Sequence, residues 1–251
     1  MRDVKTLKVK ITALSPVRVG AKRSPMGVTD SPIVKIGDKY AIPGSTLKGA
    51  LRSKIEEYLI DKYSNIPEMK PCIPTSRNTI SKEEQQLIKD GKYRPDGSCE
   101  YPKTNSICPA CYFLGANGLV GFVSIPFLYT DSPAELMYSV RIDRAKGTAA
   151  DKTNRDYQIL PQGTIFEGNI EIVLKDTVKG WELGKKRKGL QKDVDKWLDE
   201  KSVEFGKKFS EMEKDELIKE FIKDRLKEIT QIGGFKSKGA GKVKIEIIDL
   251  E

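Results

Sequence analysis

Hydrophobic and polar residues alternate near both ends of the chain. Leu7 to Leu14 reads Leu-Lys-Val-Lys-Ile-Thr-Ala-Leu, and residues 242–248 lead the chain through a similar pattern. A period of two is typical of strands with one buried face. Residues 163–174 form an apolar run of high β-propensity, and residues 121–128 resemble a buried strand. A Gly37-Asp38 turn predicts a hairpin within residues 32–42.

In other stretches the apolar residues recur every three or four positions, which is the period of an α-helix. Pro43-Gly44 precedes a helix in which Leu51, Ile55 and Leu59 recur, and we expect Ser45 or Thr46 to be its N-cap. Residues 214–230 have an apolar face of helical spacing, and a short helix is predicted at 81–89. The charged segment 179–210 is also helix-prone.

The order of these elements predicts the fold class. Strand, helix and strands are followed by strands, helix and strand, which indicates an α+β protein with a modified ferredoxin-like or RNA-recognition-motif core (βαββαβ). We expect a single domain over residues 1–251 with inserted subdomains. One insertion covers residues 61–111, where periodicity is weak and all four cysteines lie.

Charge and composition narrow the class of partner. The chain has 45 Lys and Arg against 36 Asp and Glu, a net charge of +9 and no histidine. A strongly basic chain favours a polyanionic partner such as nucleic acid, although a basic surface without such a partner is the alternative. We found no apolar run of membrane-span length and no signal-peptide pattern, so we expect a cytoplasmic protein with no membrane partner.

A glycine-rich loop, Gly233 to Lys242, precedes the last strand. Glycines allow positive φ and close approach of a ligand, and lysines beside such a backbone suit phosphate. The spacing is not that of a P-loop. The alternative is a flexible turn with solvated lysines. The predicted RNA-binding residues of this loop are Gly233, Gly234, Lys236, Lys238, Gly239 and Gly241.

The predicted first helix offers further phosphate contacts. Lys48 and Arg52 are four residues apart and share one face, and Ser45 lies at the helix start, where backbone N–H groups favour anions. An ordinary solvated face is the alternative interpretation.

Four cysteines are candidates for a metal site. Cys108 and Cys111 have the two-residue gap of a zinc knuckle, and Cys72 and Cys99 are able to complete a four-cysteine site. We predict one structural zinc ion. A disulfide, or two free thiols beside a partial site, are the competing interpretations.

Five segments together resemble one protein family. Asp30-Ser31-Pro32-Ile33-Val34 and the segment 42–52 are similar to the N-terminal signature of the RAMP superfamily of CRISPR-associated proteins, and more closely to the backbone subunit of type III effector complexes. Cys108-Pro-Ala-Cys111-Tyr-Phe-Leu-Gly115 resembles the cysteine segment of that subunit. Residues 140–149 resemble its central segment, and residues 233–241 resemble its C-terminal glycine-rich loop.

The resemblance implies a function on RNA. Copies of the chain would associate into a filament-like backbone along a CRISPR guide RNA, together with other effector subunits, and would hold the paired target RNA. A thumb-like insertion, expected at residues 131–160, would kink the guide–target duplex. Asp30 would cleave target RNA with magnesium or manganese. Further RNA contacts are expected from Arg18, Lys22 and Arg23 in the loop of Asp30, and from Arg141, Arg144 and Lys146 in the thumb.

Two other functions stay open at this stage. In a purely structural RNA-binding subunit, Asp30 would hold an Asx turn before Ser31-Pro32. A guide-processing endoribonuclease of the same superfamily is less favoured, because many of those enzymes use histidine and this chain has none.

Overall fold

The strands form one large sheet and one separate hairpin. The computed structural model describes residues 2–22, 31–73, 81–95, 97–139, 145–148 and 155–250. Within them the strands are β1 (Arg2–Ala13), β2 (Lys35–Ile36), β3 (Lys39–Ile42), β4 (Val123–Ser124), β5 (Leu128–Thr130), β6 (Glu135–Ser139), β7 (Arg155–Ile159), β8 (Ile165–Asp176), β9 (Trp181–Glu182) and β10 (Val243–Leu250).

Two long helical segments pack on the sheet, and the remaining helices are short. One long segment is α1; the other consists of α4 and α5, joined without a break by a π-helical turn at Lys219–Lys223. The α-helices are α1 (Gly44–Tyr63), α2 (Lys82–Lys89), α3 (Pro109–Leu114), α4 (Lys214–Ile218) and α5 (Asp224–Lys227). Turns of 3-10 helix cover Pro67–Met69, Lys196–Asp199, Phe209–Glu211 and Lys236–Lys238.

The sheet topology is that of a ferredoxin-like core. The main path of the sheet is β10-β1-β8-β5-β3-β2, with β4 and β9 also paired to β8. All of these pairings are antiparallel. Helix α1 lies in the chain between β1 and β5, and α4–α5 lies between β8 and β10. In the sheet, β8 lies between β1 and β5, and β1 lies between β8 and β10. Each of these two βαβ units is therefore split by a third strand, which confirms the predicted α+β class.

The alternation in β1 places its apolar residues in the core. Leu7, Val9 and Ile11 are fully buried, while the residues between them are partly exposed. Phe166 and Ile170 of β8 are buried beside them, and their core extends to the buried residues of α1 and α4–α5. The same cluster includes the four cysteines. The cysteine segment therefore packs into the main core.

The segment 179–210 differs from its prediction. The structure describes all of it and shows no α-helix there, so the predicted helical character is wrong. Four glycines with positive φ interrupt the segment, at Gly180, Gly184, Gly189 and Gly206. Arg187 and Asp195 form a fully buried ion pair at 2.6 Å, which holds the irregular chain against the core.

The start of α1 also differs from its prediction. Pro43 is the N-cap and makes no side-chain cap, so Ser45 and Thr46 lie inside the first turn. A Cβ atom on Gly44 would collide with the carbonyl oxygen of Ile125. The helix begins at a glycine because the neighbouring backbone leaves no room for a side chain.

The two expected insertions have different contents. Residues 61–111 contain the end of α1, the exposed helix α2 and the first residues of α3. Residues 131–160 contain the separate β6–β7 ladder, which runs from Glu135 paired with Ile159 to Ser139 paired with Arg155. Whether each stretch is a subdomain stays a prediction. Across the described part of the chain, no helix is both long enough and apolar enough to cross a bilayer.

Candidate nucleic-acid interface and metal centre

The glycine-rich loop has one defined conformation that depends on its glycines. Gly233, Gly239 and Gly241 have φ of 83°, 83° and 84°, and Phe235 is also left-handed with φ 61°. A Cβ atom on Gly233 would collide with the carbonyl oxygen of Arg18. On Gly241 it would collide with the carbonyl oxygen of Ile232, whereas the space at Gly239 is open.

The backbone of this loop is bonded mainly to the protein itself. Gly234 N–H donates to the carbonyl oxygen of Arg18 at 2.8 Å, and Gly241 N–H donates to that of Pro16 at 2.8 Å. Within the loop, Gly239 N–H donates to the backbone carbonyl oxygen of Lys236 at 3.2 Å. These N–H groups are engaged, so the exposed side chains of Lys236 and Lys238 are the groups best placed for phosphate. The RNA contacts predicted for the glycines stay predictions.

Arg18 also contacts the glycine-rich loop through its side chain. Its guanidinium carbon lies 5.0 Å from the ring centre of Phe235 and 5.7 Å from that of Tyr157. The two rings meet edge to face at 5.0 Å. Arg18 is half-buried in this cluster, and its RNA contact stays a prediction. No sequence pattern pointed to Tyr157, because its partners Arg18 and Phe235 come from distant segments.

The loop, the segment after β1 and the first turns of α1 surround one groove of about 480 Å³. The first turn of α1 carries no acidic residue, so the positive end of its dipole is not neutralised there. Lys22, also predicted to bind RNA, is exposed beside this segment. The groove is lined by Val19, Gly20, Ser45, Thr46, Gly49, Ala50, Ser53, Gln231, Ile232, Gly233, Gly234 and Lys236.

A larger cavity of about 1210 Å³ lies on the other side of the α1 start. Ser45 lines both this cavity and the groove, so the two spaces meet at the first turn of the helix. Lys48 and Arg52 line the cavity together with Cys72, Cys99 and Cys111. The structure thus brings the predicted residues of α1 next to the predicted metal site.

The four cysteines form a compact buried cluster. Their sulfur atoms all lie within 4.8 Å of one another, and all four are free thiols. The Cys72 sulfur is 3.4 Å from that of Cys111 and 3.8 Å from that of Cys108. A tetrahedral zinc ion with Zn–S bonds of about 2.3 Å requires sulfurs about 3.8 Å apart. The donor set and its spacing therefore fit a metal ion such as zinc.

The electrostatics of the cluster favour a thiolate. Burial raises the pKa of the Cys108 thiol, but hydrogen bonds from the other thiols and the charge of Arg52 bring it well below its ordinary value. The pKa values of Cys72 and Cys99 are raised, chiefly because these thiols hydrogen-bond to Cys108. One thiolate, at Cys108, is therefore favoured, whereas Cys72 and Cys99 would give up their protons only to a bound cation.

Several predicted residues lie outside the described residues. These are Asp30, Arg23, Arg141 and Arg144. Ser31, which follows Asp30 in sequence, accepts a hydrogen bond from Gln158 N–H at 3.1 Å, next to Tyr157 of the Arg18 cluster. Lys146 lies on an exposed turn in the described stretch 145–148.

The family comparison agrees with this architecture. The model of the RAMP superfamily matches residues 10–244, nearly the whole chain. This protein belongs to the RAMP superfamily. No curated protein matches the sequence.

Membership indicates the broad function. RAMP proteins are CRISPR-associated, and they typically bind CRISPR RNA and other Cas subunits. The chain is accordingly a CRISPR-associated protein of an RNA-binding family, with four buried cysteines able to hold a metal ion such as zinc.

Proposed function

We propose that this chain is the guide-RNA-binding backbone subunit of a type III CRISPR effector complex. Copies of it associate along the guide, contact other effector subunits and hold the paired target RNA. The complex works in the cytoplasm. The resemblance of the segments 30–34, 42–52 and 140–149 to that subunit supports this particular role within the superfamily.

The groove at the α1 start is the observation that carries the proposal. It combines an uncapped helix N-terminus, a fixed glycine-rich loop and the side chain of Lys236. An anionic strand entering it meets the positive end of the helix dipole without a neighbouring carboxylate in the first turn. In our proposal the strand continues across Ser45 towards Lys48, while Lys236 and Lys238 contact phosphates on the other side.

Target cleavage is assigned to Asp30. The carboxylate would orient a magnesium or manganese ion, or the 2′-hydroxyl itself, for in-line attack on the adjacent phosphate. Since the chain has no histidine, positioning and electrostatics must supply most of the rate acceleration. Ser31 is held against Gln158, so the residue after Asp30 is fixed beside the loop.

The β6–β7 ladder supports a thumb within residues 131–160. It is separate from the main sheet, and Tyr157 of β7 packs against Phe235 of the glycine-rich loop. A projection anchored there is suitably placed to wedge into a duplex that follows the groove. Arg141, Arg144 and Lys146 would contact the RNA from this projection.

We assign the four-cysteine cluster to a structural zinc ion. All four sulfurs are buried and the set leaves no position for water among the protein ligands, which is typical of structural rather than catalytic zinc. A bound zinc would stabilise the long connection between α1 and α3, which contains little regular structure.

RNA binding by the full chain tests the proposal. We expect Lys48→Gln with Lys236→Gln and Lys238→Gln to weaken binding to single-stranded RNAs of unrelated sequence alike, since phosphate contacts carry no base information. Each lost contact should reduce the slope of log K against log salt by about 0.7, or about 2 for all three.

A matched charge variant is the control. Lys196, Lys201 and Lys208 are exposed and lie in the region near the other end of α1, where Val203 N–H contacts the Tyr63 hydroxyl. Their replacement by Gln removes the same charge and should leave most of the affinity. Equal losses in both triple variants would show that binding follows net charge alone, and the groove would lose its assigned role.

A further inference from the structure

We propose that Arg52 is a positioning residue of the four-cysteine centre, which fixes two of its sulfurs and ties the centre to α1. This inference rests on the metal site proposed above. The sequence predicted that Arg52 contacts RNA, because it shares a helix face with Lys48. The proposal assigns it to the cysteine centre instead.

The contacts of Arg52 all point to the cysteine side of the helix. One terminal nitrogen lies 3.1 Å from the sulfur of Cys72 and 3.3 Å from that of Cys111. Its Nε donates to a carboxylate oxygen of Glu56 at 2.8 Å. Glu56, one turn further along α1, thereby fixes the orientation of the planar guanidinium, whose terminal nitrogen reaches the two thiols.

Burial makes these contacts strong. The side chains of Arg52 and Glu56 are 14% and 13% exposed, so both charges are largely withdrawn from water. Four thiolates around a divalent cation carry two net negative charges, and a buried cluster of that charge requires compensation. Arg52 is the cation that contacts its sulfurs in the described part of the chain.

The geometry also explains how the centre is held in the fold. Cys72 and Cys111 come from separate segments, the chain after α1 and helix α3, and Arg52 contacts both. It therefore links two ligand-bearing segments to the helix whose first turn lines the groove. Groups that hydrogen-bond to metal ligands typically change metal affinity by about 10- to 100-fold.

Metal titration of the full chain tests this role. Arg52→Met with Glu56→Gln removes the donor without leaving an unpaired carboxylate. We expect its zinc affinity, measured by competition with a chelator, to fall about 10- to 100-fold. With cobalt in place of zinc, the sulfur-to-cobalt charge-transfer bands should move to lower energy, because sulfurs that lose a hydrogen bond hold their electrons less tightly.

The control removes a similar ion pair from the same helix. Lys54 and Glu57 pair on the surface of α1 without contacting a cysteine. Lys54→Met with Glu57→Gln should keep the wild-type affinity and spectrum. Arg52→Lys should lie between the wild type and the Arg52→Met pair, because it keeps the charge but lacks the second nitrogen that bonds Glu56 and fixes the donor plane. If Arg52→Met with Glu56→Gln fails to fold, the affinity and spectrum of Arg52→Lys are compared with those of the wild type instead.

The outcomes separate the two proposals. A wild-type chain that takes up neither zinc nor cobalt would remove the metal site and the role of Arg52 with it. Metal uptake by the wild type with unchanged affinity and spectrum in Arg52→Met with Glu56→Gln, or in Arg52→Lys, would overturn the role of Arg52 alone.

Discussion

The backbone N–H of Gly234 donates to the carbonyl oxygen of Arg18 at 2.8 Å, and this bond joins the two ends of the RAMP core. It places the C-terminal glycine-rich loop on the segment that follows the first strand. The same segment continues through residues 23–30, which contain Asp30, to Ser31. The glycine-rich loop therefore contacts a segment that is close to Asp30 in sequence, although most of the chain separates the two in sequence.

Gly233→Ala should displace the glycine-rich loop. The new Cβ would meet the carbonyl oxygen of Arg18, which already accepts the Gly234 N–H. A left-handed alanine costs about 1–2 kcal/mol, and the steric conflict should add about 1–3 kcal/mol. Chemical denaturation would measure the loss, and RNA affinity should fall under conditions where the variant is still folded.

Gly239→Ala is the matched control for this change. Gly239 has the same φ of 83°, but a Cβ there meets open space. We expect only the backbone cost of about 1–2 kcal/mol. If both alanine variants lose equal stability and bind RNA equally well, the close contact with Arg18 has no part in shaping the loop.

Replacing Cys108 and Cys111 by Ser should release one zinc ion per chain and lower the melting temperature. The centre would join the chain after α1 to helix α3, so the loss of its metal would weaken folding. A loss of about 5 kcal/mol would lower the Tm by about 10–20 °C in a chain of this size. Elemental analysis and calorimetry would check both effects. A purified wild-type chain without metal, or with a disulfide between these residues, would contradict the assignment.

Asp30→Asn should abolish cutting of target RNA in an assembled complex while target binding stays nearly unchanged. The substitution keeps size and hydrogen bonding but removes the charge needed to orient a cation. The wild-type complex should cut at evenly spaced positions, since identical subunits repeat one geometry along the guide. Products ending in 2′,3′-cyclic phosphate would identify the 2′-hydroxyl as nucleophile.

The same measurement separates the nuclease from its alternatives. Equal cutting by Asp30→Asn and wild-type complexes, free of other nucleases, would leave this chain a structural RNA-binding subunit. Cutting of repeat RNA by the chain alone would instead indicate a guide-processing endoribonuclease.

Glu220 should make the stability of the fold depend on pH. It is fully buried in the π-helical turn and accepts hydrogen bonds from the hydroxyls of Tyr58, Tyr63 and Ser202. Burial raises the pKa of this carboxyl above its ordinary value of 4.5. Between that value and the raised pKa, the folded state binds more protons than the unfolded state, so stability falls as pH rises.

Glu220→Gln should flatten this dependence. The free energy of unfolding of the wild type should decline from about pH 4.5 upwards relative to the variant, by about 1.4 kcal/mol for each unit by which the pKa is raised. Glu171→Gln, an exposed change on β8, should leave the wild-type slope intact. Parallel curves for wild type and Glu220→Gln would show that Glu220 ionises as easily in the folded state as in the unfolded state.

The sequence by itself determined the elements that depend on neighbouring residues. The alternation of Leu7, Val9 and Ile11 gave β1, and the spacing of Leu51 and Ile55 gave α1, because side-chain period follows directly from local backbone geometry. Where glycines interrupt a charged segment, as at 179–210, composition favoured a helix that the backbone does not form. Instead, left-handed glycines bend the chain there, and Arg187 and Asp195 form a buried ion pair within it.

Only the tertiary structure decided which distant groups meet. The sequence proposed Cys72 and Cys99 as partners of Cys108 and Cys111 by residue type alone, and only the fold shows that all four sulfurs lie within 4.8 Å of one another. Nothing in the sequence pairs Arg52 with Cys72, or Arg18 with Tyr157, because such contacts depend on how the helices and loops pack on the sheet. Local pattern fixes which face of an element is buried, whereas long-range packing selects the groups that this face contacts.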